Sequence, residues 1–392
     1  VLDRVLNHRL KPFEATIFSE MSRLAQRTGA INLGQGFPDT DGPGEIIEAA
    51  VEALRGGYNQ YPPTRGVPEL RRAVAAHQRR FYGIELDPET EVVVTTGATE
   101  GVAAALLALC EPGDEVVVLE PFYDSYAAIV ALAGATLVPV TLRPPCFRVD
   151  VDALQSAITA RTRLLLVNSP HNPTGAVLAR PELEGIAALA GRHDLLVITD
   201  EVHEHLVYDP DVEHVPISTL PGMRQRTVSA SSAAKTFSLT GWKVGWVTGP
   251  EELVSAVHTA KQYLTFVSGA PFQPAVAAAL GLPDAYFERF RAELRAKRDL
   301  LADALARLGF EVFLPAGTYF VTTDIAPLGE SDGMAFCLSL PHRCGVVAVP
   351  NAVFYQDATK GGGRSLVRFA FCKRDAVLRE AIARLQPLAA RS

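Results

Sequence analysis

The chain of 392 residues is 48% hydrophobic and 21% charged, which excludes a disordered polymer and leaves enough apolar side chain to bury a large core over two domains. A formal net charge of −7 argues against a broad nucleic-acid-binding face. Five scattered cysteines (Cys110, Cys146, Cys337, Cys344 and Cys372) form no C-x-x-C, so neither a disulfide framework nor a structural zinc is expected and a reducing cytoplasm fits.

The first thirty residues carry Asp3, Arg4, His8, Arg9, Lys11 and Glu14 and no apolar run of signal-peptide length. No run of 18 apolar residues occurs anywhere, so no membrane span is expected. "NLGQGFPD" (32–39) contains Gly34-x-Gly36 but lacks the third glycine of a dinucleotide fingerprint, and Pro38 follows at once. It reads as a tight loop that exposes backbone N–H groups. "EVVVTTG" (91–97) reads as a buried strand, and a helix begins near Ala98. A helix N-terminus offers free N–H groups and a positive dipole end, which suits a phosphate. The plainer reading is a strand-turn-helix capped by Thr96 or Thr99.

Further strand-helix pairs follow. "DEVVVLEP" (114–121) leads into "YDSYAAIVALAG", and "RTRLLLVNSP" (161–170) leads through a turn into "PELEGIAALAGRH". "DLLVITD" (194–200), "RTVSASS" (226–232) and "KVGWVTG" (243–249) continue the series. Uninterrupted Val, Ile and Leu runs are what strands covered on both faces look like. Their alternation with helices predicts an α/β fold with a mostly parallel sheet. After about residue 282 one long amphipathic helix (283–310) ends at Gly309, and shorter strands and a last helix read as a smaller α+β domain. "DATKGGGRS" (357–365) reads as a flexible loop.

Several residues stand out chemically. Lys235 follows a strand within a run of small residues, with no carboxylate adjacent in sequence, and Lys243 follows between two tryptophans. Small neighbours let a planar ligand approach, and a lysine amine in such a pocket can have its pKa lowered and form a Schiff base. The bland alternative is a pair of solvated lysines. Asn172, in the turn "NSPHNPTG" (168–175), could donate to a ligand oxygen, or belong to a plain turn. Arg368 sits on the apolar strand of "LVRFAFCK" (366–373), where an unpaired charge is costly, so its fork calls for a carboxylate from protein or substrate. "TDEVHEHL" (199–206) packs Asp200, Glu201, His203, Glu204 and His205 together. It is not H-E-x-x-H, and its histidines are expected to face one side without a third ligand, which speaks against a metal hydrolase.

"NQYPP", "TTGATEG", "EPFYDSY", "NSPHNPTG", "TDEV", "SSAAKTFSLTGWKVGW" and "VRFAFCK" occur in this order along nearly the whole chain. In these motifs the chain resembles the fold-type I, class I/II aminotransferases, which depend on pyridoxal 5′-phosphate (PLP). It is most similar to the kynurenine/glutamine/methionine branch, and closer still to N-succinyldiaminopimelate aminotransferases. The resemblance implies a large domain with a mostly parallel seven-stranded sheet plus a smaller α+β domain. It divides the chain into an N-terminal arm with part of the small domain (1–45), a PLP-binding domain (46–282), and a linking helix with the C-terminal small domain (283–392).

By the same resemblance Lys235 forms the Schiff base and moves a proton once substrate displaces it. Asp200 keeps the pyridine nitrogen protonated, Asn172 bonds the ring's O3′, and Tyr123 stacks on the ring. The phosphate lies against Ala98 and Thr99, held by Ser232 and Lys243, with Tyr61 reaching in from the second subunit of a homodimer. Arg368 takes the substrate carboxylate, aided by the Gly36 backbone, and Phe18 and Phe354 wall the side-chain pocket. No nucleic acid or membrane partner is implied.

The chain departs from the family at two points. His203 stands where relatives have Tyr in "DEVY", and imidazole titrates near neutrality, so a proton-dependent cofactor spectrum is expected. Ser268, in "TFVSGAPFQP", stands near the position of a histidine in the kynurenine-type enzymes. A PLP-dependent C–S β-lyase or an amine-oxidising enzyme shares the fold and the lysine and stays open here. A PLP-sensing regulator would need a DNA-binding module, which the stretch before "NLGQGFPD" does not resemble.

Overall fold

Strands form where the sequence runs through Val, Ile and Leu without a break, because both faces of such a strand can be covered. The computed structural model describes residues 5–13, 16–357 and 362–391, so residues 358–361 of the expected loop 357–365 lie outside them. Seven strands make the main sheet: β1 (Val92–Thr95), β2 (Glu115–Glu120), β3 (Thr136–Thr141), β4 (Thr162–Asn168), β5 (Leu196–Asp200), β6 (Thr227–Ser232) and β7 (Gly245–Thr248). Their order is β1-β7-β6-β5-β4-β2-β3. Strands β2 to β6 pair in parallel, whereas β7 runs antiparallel to both β6 and β1. Helices on both faces complete a doubly wound α/β architecture, and the fold is the expected one.

The helices that matter for the site are α1 (Ile17–Thr28), α2 (Pro68–Tyr82), α3 (Gly97–Leu109), α4 (Ser125–Ala133), α5 (Ala233–Thr236) and α6 (Asp284–Arg307). Helix α6 matches the long amphipathic stretch, ending two residues before Gly309, which takes a left-handed φ of +96°. It buries Leu294, Leu301 and Leu305 against a second, antiparallel sheet. That sheet is built from β8 (Glu311–Phe313), β9 (Phe320–Asp324), β10 (Val349–Pro350) and β11 (Leu366–Ala370), in the order β10-β11-β9-β8. Ile31 and Asn32, near the start of the chain, pair in parallel with Val346 and Val347. No helix among the described residues is long and apolar enough to cross a membrane.

Strand direction positions the site. The C-terminal ends of the parallel strands share one edge, where ligands of open α/β sheets bind. Asn168 and Asp200 lie opposite one another at that edge, at the ends of β4 and β5. Because β7 runs the other way, its first residue, Gly245, sits at the same edge, opposite Thr95 and Ser232. The turn before β7 therefore delivers Lys243 to the edge where the parallel strands end.

Candidate active site

A cavity of about 340 Å³ opens at this edge, lined from both sheets, with Lys235, Asp200, Asn172, Lys243, His203 and Arg368 among its walls. Lys235 rides on the short helix α5, directly after β6. Its Nζ donates to the Gly36 carbonyl at 3.4 Å and stands 5.4 Å from the Tyr319 ring centre. Burial pulls its pKa down to about 8, against the opposing pull of Cys372 and Asp200. At neutral pH an appreciable fraction of the amine is unprotonated and nucleophilic.

Asp200 ends β5 with a buried carboxylate. Its Oδ2 accepts from the Tyr126 hydroxyl at 2.6 Å and its Oδ1 from the Val202 N–H at 3.3 Å. Burial raises its pKa, and the Tyr126 hydrogen bond is the largest influence opposing the rise. The Asn168 side chain fixes the neighbouring backbone: Nδ2 donates to the Asp200 carbonyl at 2.8 Å, and Oδ1 accepts from the Asn172 N–H at 2.7 Å.

One end of the cavity lies at the start of α3. Ala98 and Thr99 open this helix and line the cavity with Ser232 and Lys243. Their N–H groups lie in the first turn, which has no intrahelical acceptor for them. Neither Thr96 nor Thr99 caps the helix as the plainer reading expects; the Glu100 carboxylate accepts the Thr96 N–H at 2.5 Å instead. Two glycines keep the end bare. A Cβ on Gly245 would stand 2.6 Å from the Gly97 carbonyl carbon, and one on Gly97, whose φ is +74°, would stand 3.1 Å from Lys243 Nζ. Helix N-terminus, ammonium and hydroxyl together suit a dianionic phosphate.

Arg368 holds the opposite end. It is buried on β11, and its Nη1 donates to Asn172 Oδ1 at 2.6 Å while Nη2 donates to the Gly34 carbonyl at 3.2 Å. Its guanidinium lies 3.8 Å from the Phe320 ring centre, 4.8 Å from that of Phe354 and 5.5 Å from that of Phe18. No carboxylate of the described residues forms an ion pair with it, and Nε has no hydrogen-bond partner. A buried, unpaired guanidinium fork facing a cavity is built for an incoming carboxylate.

His203 lines the cavity edge-on to Tyr319, with ring centres 5.4 Å apart, and neither ring nitrogen has a hydrogen-bond partner. Burial, then the charges of Lys235 and Arg368, hold its pKa well below the ordinary value, and the Pro170 carbonyl opposes them only weakly. The expectation that it titrates near neutrality is therefore corrected: the ring stays neutral.

The other expected residues divide. Tyr123, Gly36 and Phe18 line the cavity. Phe354 lies one layer back, fully buried, where it packs on Arg368 and Phe18 and does not wall the pocket. Tyr61 stands on the surface, 82% exposed, edge-on to Phe266 and outside its own chain's cavity. Ser268 is turned to Gln273, whose Nε2 donates to its hydroxyl at 3.3 Å. The histidines of "TDEVHEHL" do not face one side. His203 looks into the cavity, whereas His205 looks away from it toward His77 on α2.

Tyr126, Asn168 and Tyr319 were not singled out from the sequence. Tyr126 carried a signal, because it stands in the first turn of α4, three residues after Tyr123, which precedes the helix. Asn168 carried a weaker one, as the polar end of an apolar strand. Tyr319, whose hydroxyl donates to the Gly36 carbonyl, had none, since the contact spans most of the chain.

Comparison with known proteins gives the same picture. The family model "Aminotransferase class I and II" matches residues 28–385. The Mycobacterium tuberculosis protein described as "Probable N-succinyldiaminopimelate aminotransferase DapC" is 54% identical over 98% of this chain and 98% of its own length. The Escherichia coli methionine aminotransferase is 38% identical over 97% of each. The solved structure of the N-succinyldiaminopimelate aminotransferase of M. tuberculosis superposes with a TM-score of 0.95, covering 98% of this chain and 100% of that one. With the motifs, the sheet order and the cavity in agreement, the chain belongs to the class I and II aminotransferases, a PLP-using family.

Proposed function

We propose that this aminotransferase acts on N-succinyldiaminopimelate or its 2-oxo counterpart, with PLP held in the cavity at the sheet edge. The observation that carries amino transfer is the arrangement of one half-buried lysine between a buried carboxylate and a buried guanidinium with no ion-pair partner. Support for the substrate comes from the 54% identity to the M. tuberculosis relative.

The residues fit the cofactor at both ends. Ala98, Thr99, Ser232 and Lys243 would hold the phosphate and Asp200 would pair with the pyridine nitrogen, with the Tyr126 hydroxyl aiming that carboxylate and favouring its charged form. Asn172 and His203 would stand at the ring oxygen, and Tyr123 would cover the ring face. When bound, PLP supplies an electron sink for the bonds at the substrate Cα. Arg368 fixes the substrate carboxylate, with Asn172 steadying the guanidinium. Lys235 Nζ, free once substrate had taken its place, would be the base placed to hold the proton removed from the substrate Cα.

We read the protein as a homodimer in which Tyr61 of each chain completes the other's phosphate site. Residues 46–282 would form the cofactor domain, flanked by 1–45 and 283–392. The cations lining the described cavity are Lys235, Lys243 and Arg368. With the first two on the cofactor and the third on the α-carboxylate, the succinyl tail needs a cation from outside that wall.

A half-reaction screen tests this reading. The PLP-loaded protein is mixed with single amino acids while the visible absorbance of the bound cofactor is followed. N-succinyldiaminopimelate should discharge it fastest, and Lys235→Ala should have neither the absorbance nor turnover. Pyruvate and ammonia without an acceptor would point to a β-lyase, and hydrogen peroxide to an amine oxidase. Wild-type turnover by Lys235→Ala would overturn the assignment.

A further inference from the structure

The residues of "TDEVHEHL" that the cofactor site leaves aside meet a third partner on the other side of the loop. His77 comes from α2, and Glu204 and His205 from the turn after β5. All three are buried, at 2%, 5% and 6% exposure, and one ligand atom from each lies within 4.8 Å of the others. His77 Nε2 and His205 Nε2 approach to 2.7 Å. Glu204 Oε1 is fixed by the Ser231 hydroxyl at 2.6 Å. The buried Tyr82 phenol lies beside the same carboxylate and interacts with it. A buried carboxylate beside two buried imidazoles, with His77 Nδ1 left without a partner, is an expensive arrangement for a structural contact alone.

We propose that His77, Glu204 and His205 form a second site, for a divalent transition-metal ion of the Zn²⁺ class, behind the cofactor cavity. Two imidazoles and one carboxylate are a common donor set for Zn²⁺. Bond lengths of about 2.0–2.1 Å set two imidazole nitrogens about 3.3 Å apart across a tetrahedral angle, so the histidines must part by roughly half an ångström. Ser231 supplies the outer hydrogen bond that orients a ligating carboxylate. A separate cavity of about 470 Å³, lined by Glu204, His205, Tyr82 and His214, gives the ion an entry path and room for water as fourth ligand. The ion would join α2 to the loop whose other side carries Asp200 and His203. Its role is structural, since Lys235 and Arg368 line a different cavity.

The test uses the cofactor-loaded protein, stripped of metal by a chelator and dialysed. Zn²⁺ is titrated calorimetrically, bound metal is counted by mass spectrometry, and Co²⁺ serves as a spectroscopic probe. One equivalent per chain is expected, together with the intense visible bands of tetrahedral Co²⁺. His77→Gln and His205→Gln should each weaken binding about 100-fold or more and abolish those bands, while retained visible absorbance of the bound cofactor reports that they fold. Glu204→Gln, which keeps the Ser231 contact, is the second variant should either histidine change unfold the chain. Less than a tenth of an equivalent on the wild type overturns the proposal. So does equal uptake by the variants, which would point to surface thiols such as Cys146 or to the cofactor itself.

Discussion

Lys235 carries a charge that the fold resists. Its folded-state pKa of about 8 lies below the ordinary 10.5 of lysine, with burial as the main cause. Between those two pH values the unfolded chain binds the extra proton and the folded apoprotein does not, so apoprotein stability rises with pH across that window. The rate of PLP capture should rise with pH up to about 8 and then level, following the free amine. Stopped-flow loading and thermal melts of the apoprotein from pH 6 to 10 measure both, and a flat loading profile would contradict the assigned shift. His203 makes the opposite statement. Since burial and two cations keep the ring neutral, His203→Gln should leave the pH–rate profile unmoved near neutrality. Loss of a limb near the ordinary histidine pKa would mean that the ring does titrate. From sequence the substitution of Tyr by His was legible; its protonation state was not, because Arg368 comes from a strand 165 positions away.

The elements were legible where burial is simple. β2, β4 and β5 run through Val, Ile and Leu and announce themselves, as does the long helix α6, whereas β6 is buried but built mostly of Ser and Thr. β3, "TLVPVT", was not read as a strand. It lies at the sheet edge, partly exposed, and contains Pro139, which an edge tolerates. The reversed direction of β7 was also illegible, because a buried run does not encode its own polarity. That reversal is what lets Gly245 pack against the start of α3. Gly245→Ala places a methyl 2.6 Å from backbone, which cannot swing aside as a side chain would. The cost expected is about 1–3 kcal/mol of stability, with weaker retention of the cofactor phosphate. Chemical denaturation and cofactor dissociation both read it, and a variant of native stability and affinity would show that this edge has slack.

At the scale of the whole molecule the test concerns shared sites. Tyr61 is exposed beside a surface that also shows Tyr263, Leu264 and Phe266. A chain with Tyr61→Ala and one with Lys235→Ala should each be impaired alone. Mixed and refolded together, half of the dimers would be hybrids, each with one intact site, giving about a quarter of wild-type activity. No recovery would mean that each chain completes its own site. The pairing of Ile31 and Asn32 with Val346 and Val347 reaches further, into the order in which the protein is made. Ile31 and Asn32 leave the ribosome more than three hundred residues ahead of their partners. The central sheet can close while synthesis continues, whereas Ile31 and Asn32 must wait for Val346 and Val347 to emerge. A polypeptide released early would therefore hold most of a cofactor bed but lack β11, and with it Arg368, the group placed to receive the substrate's carboxylate.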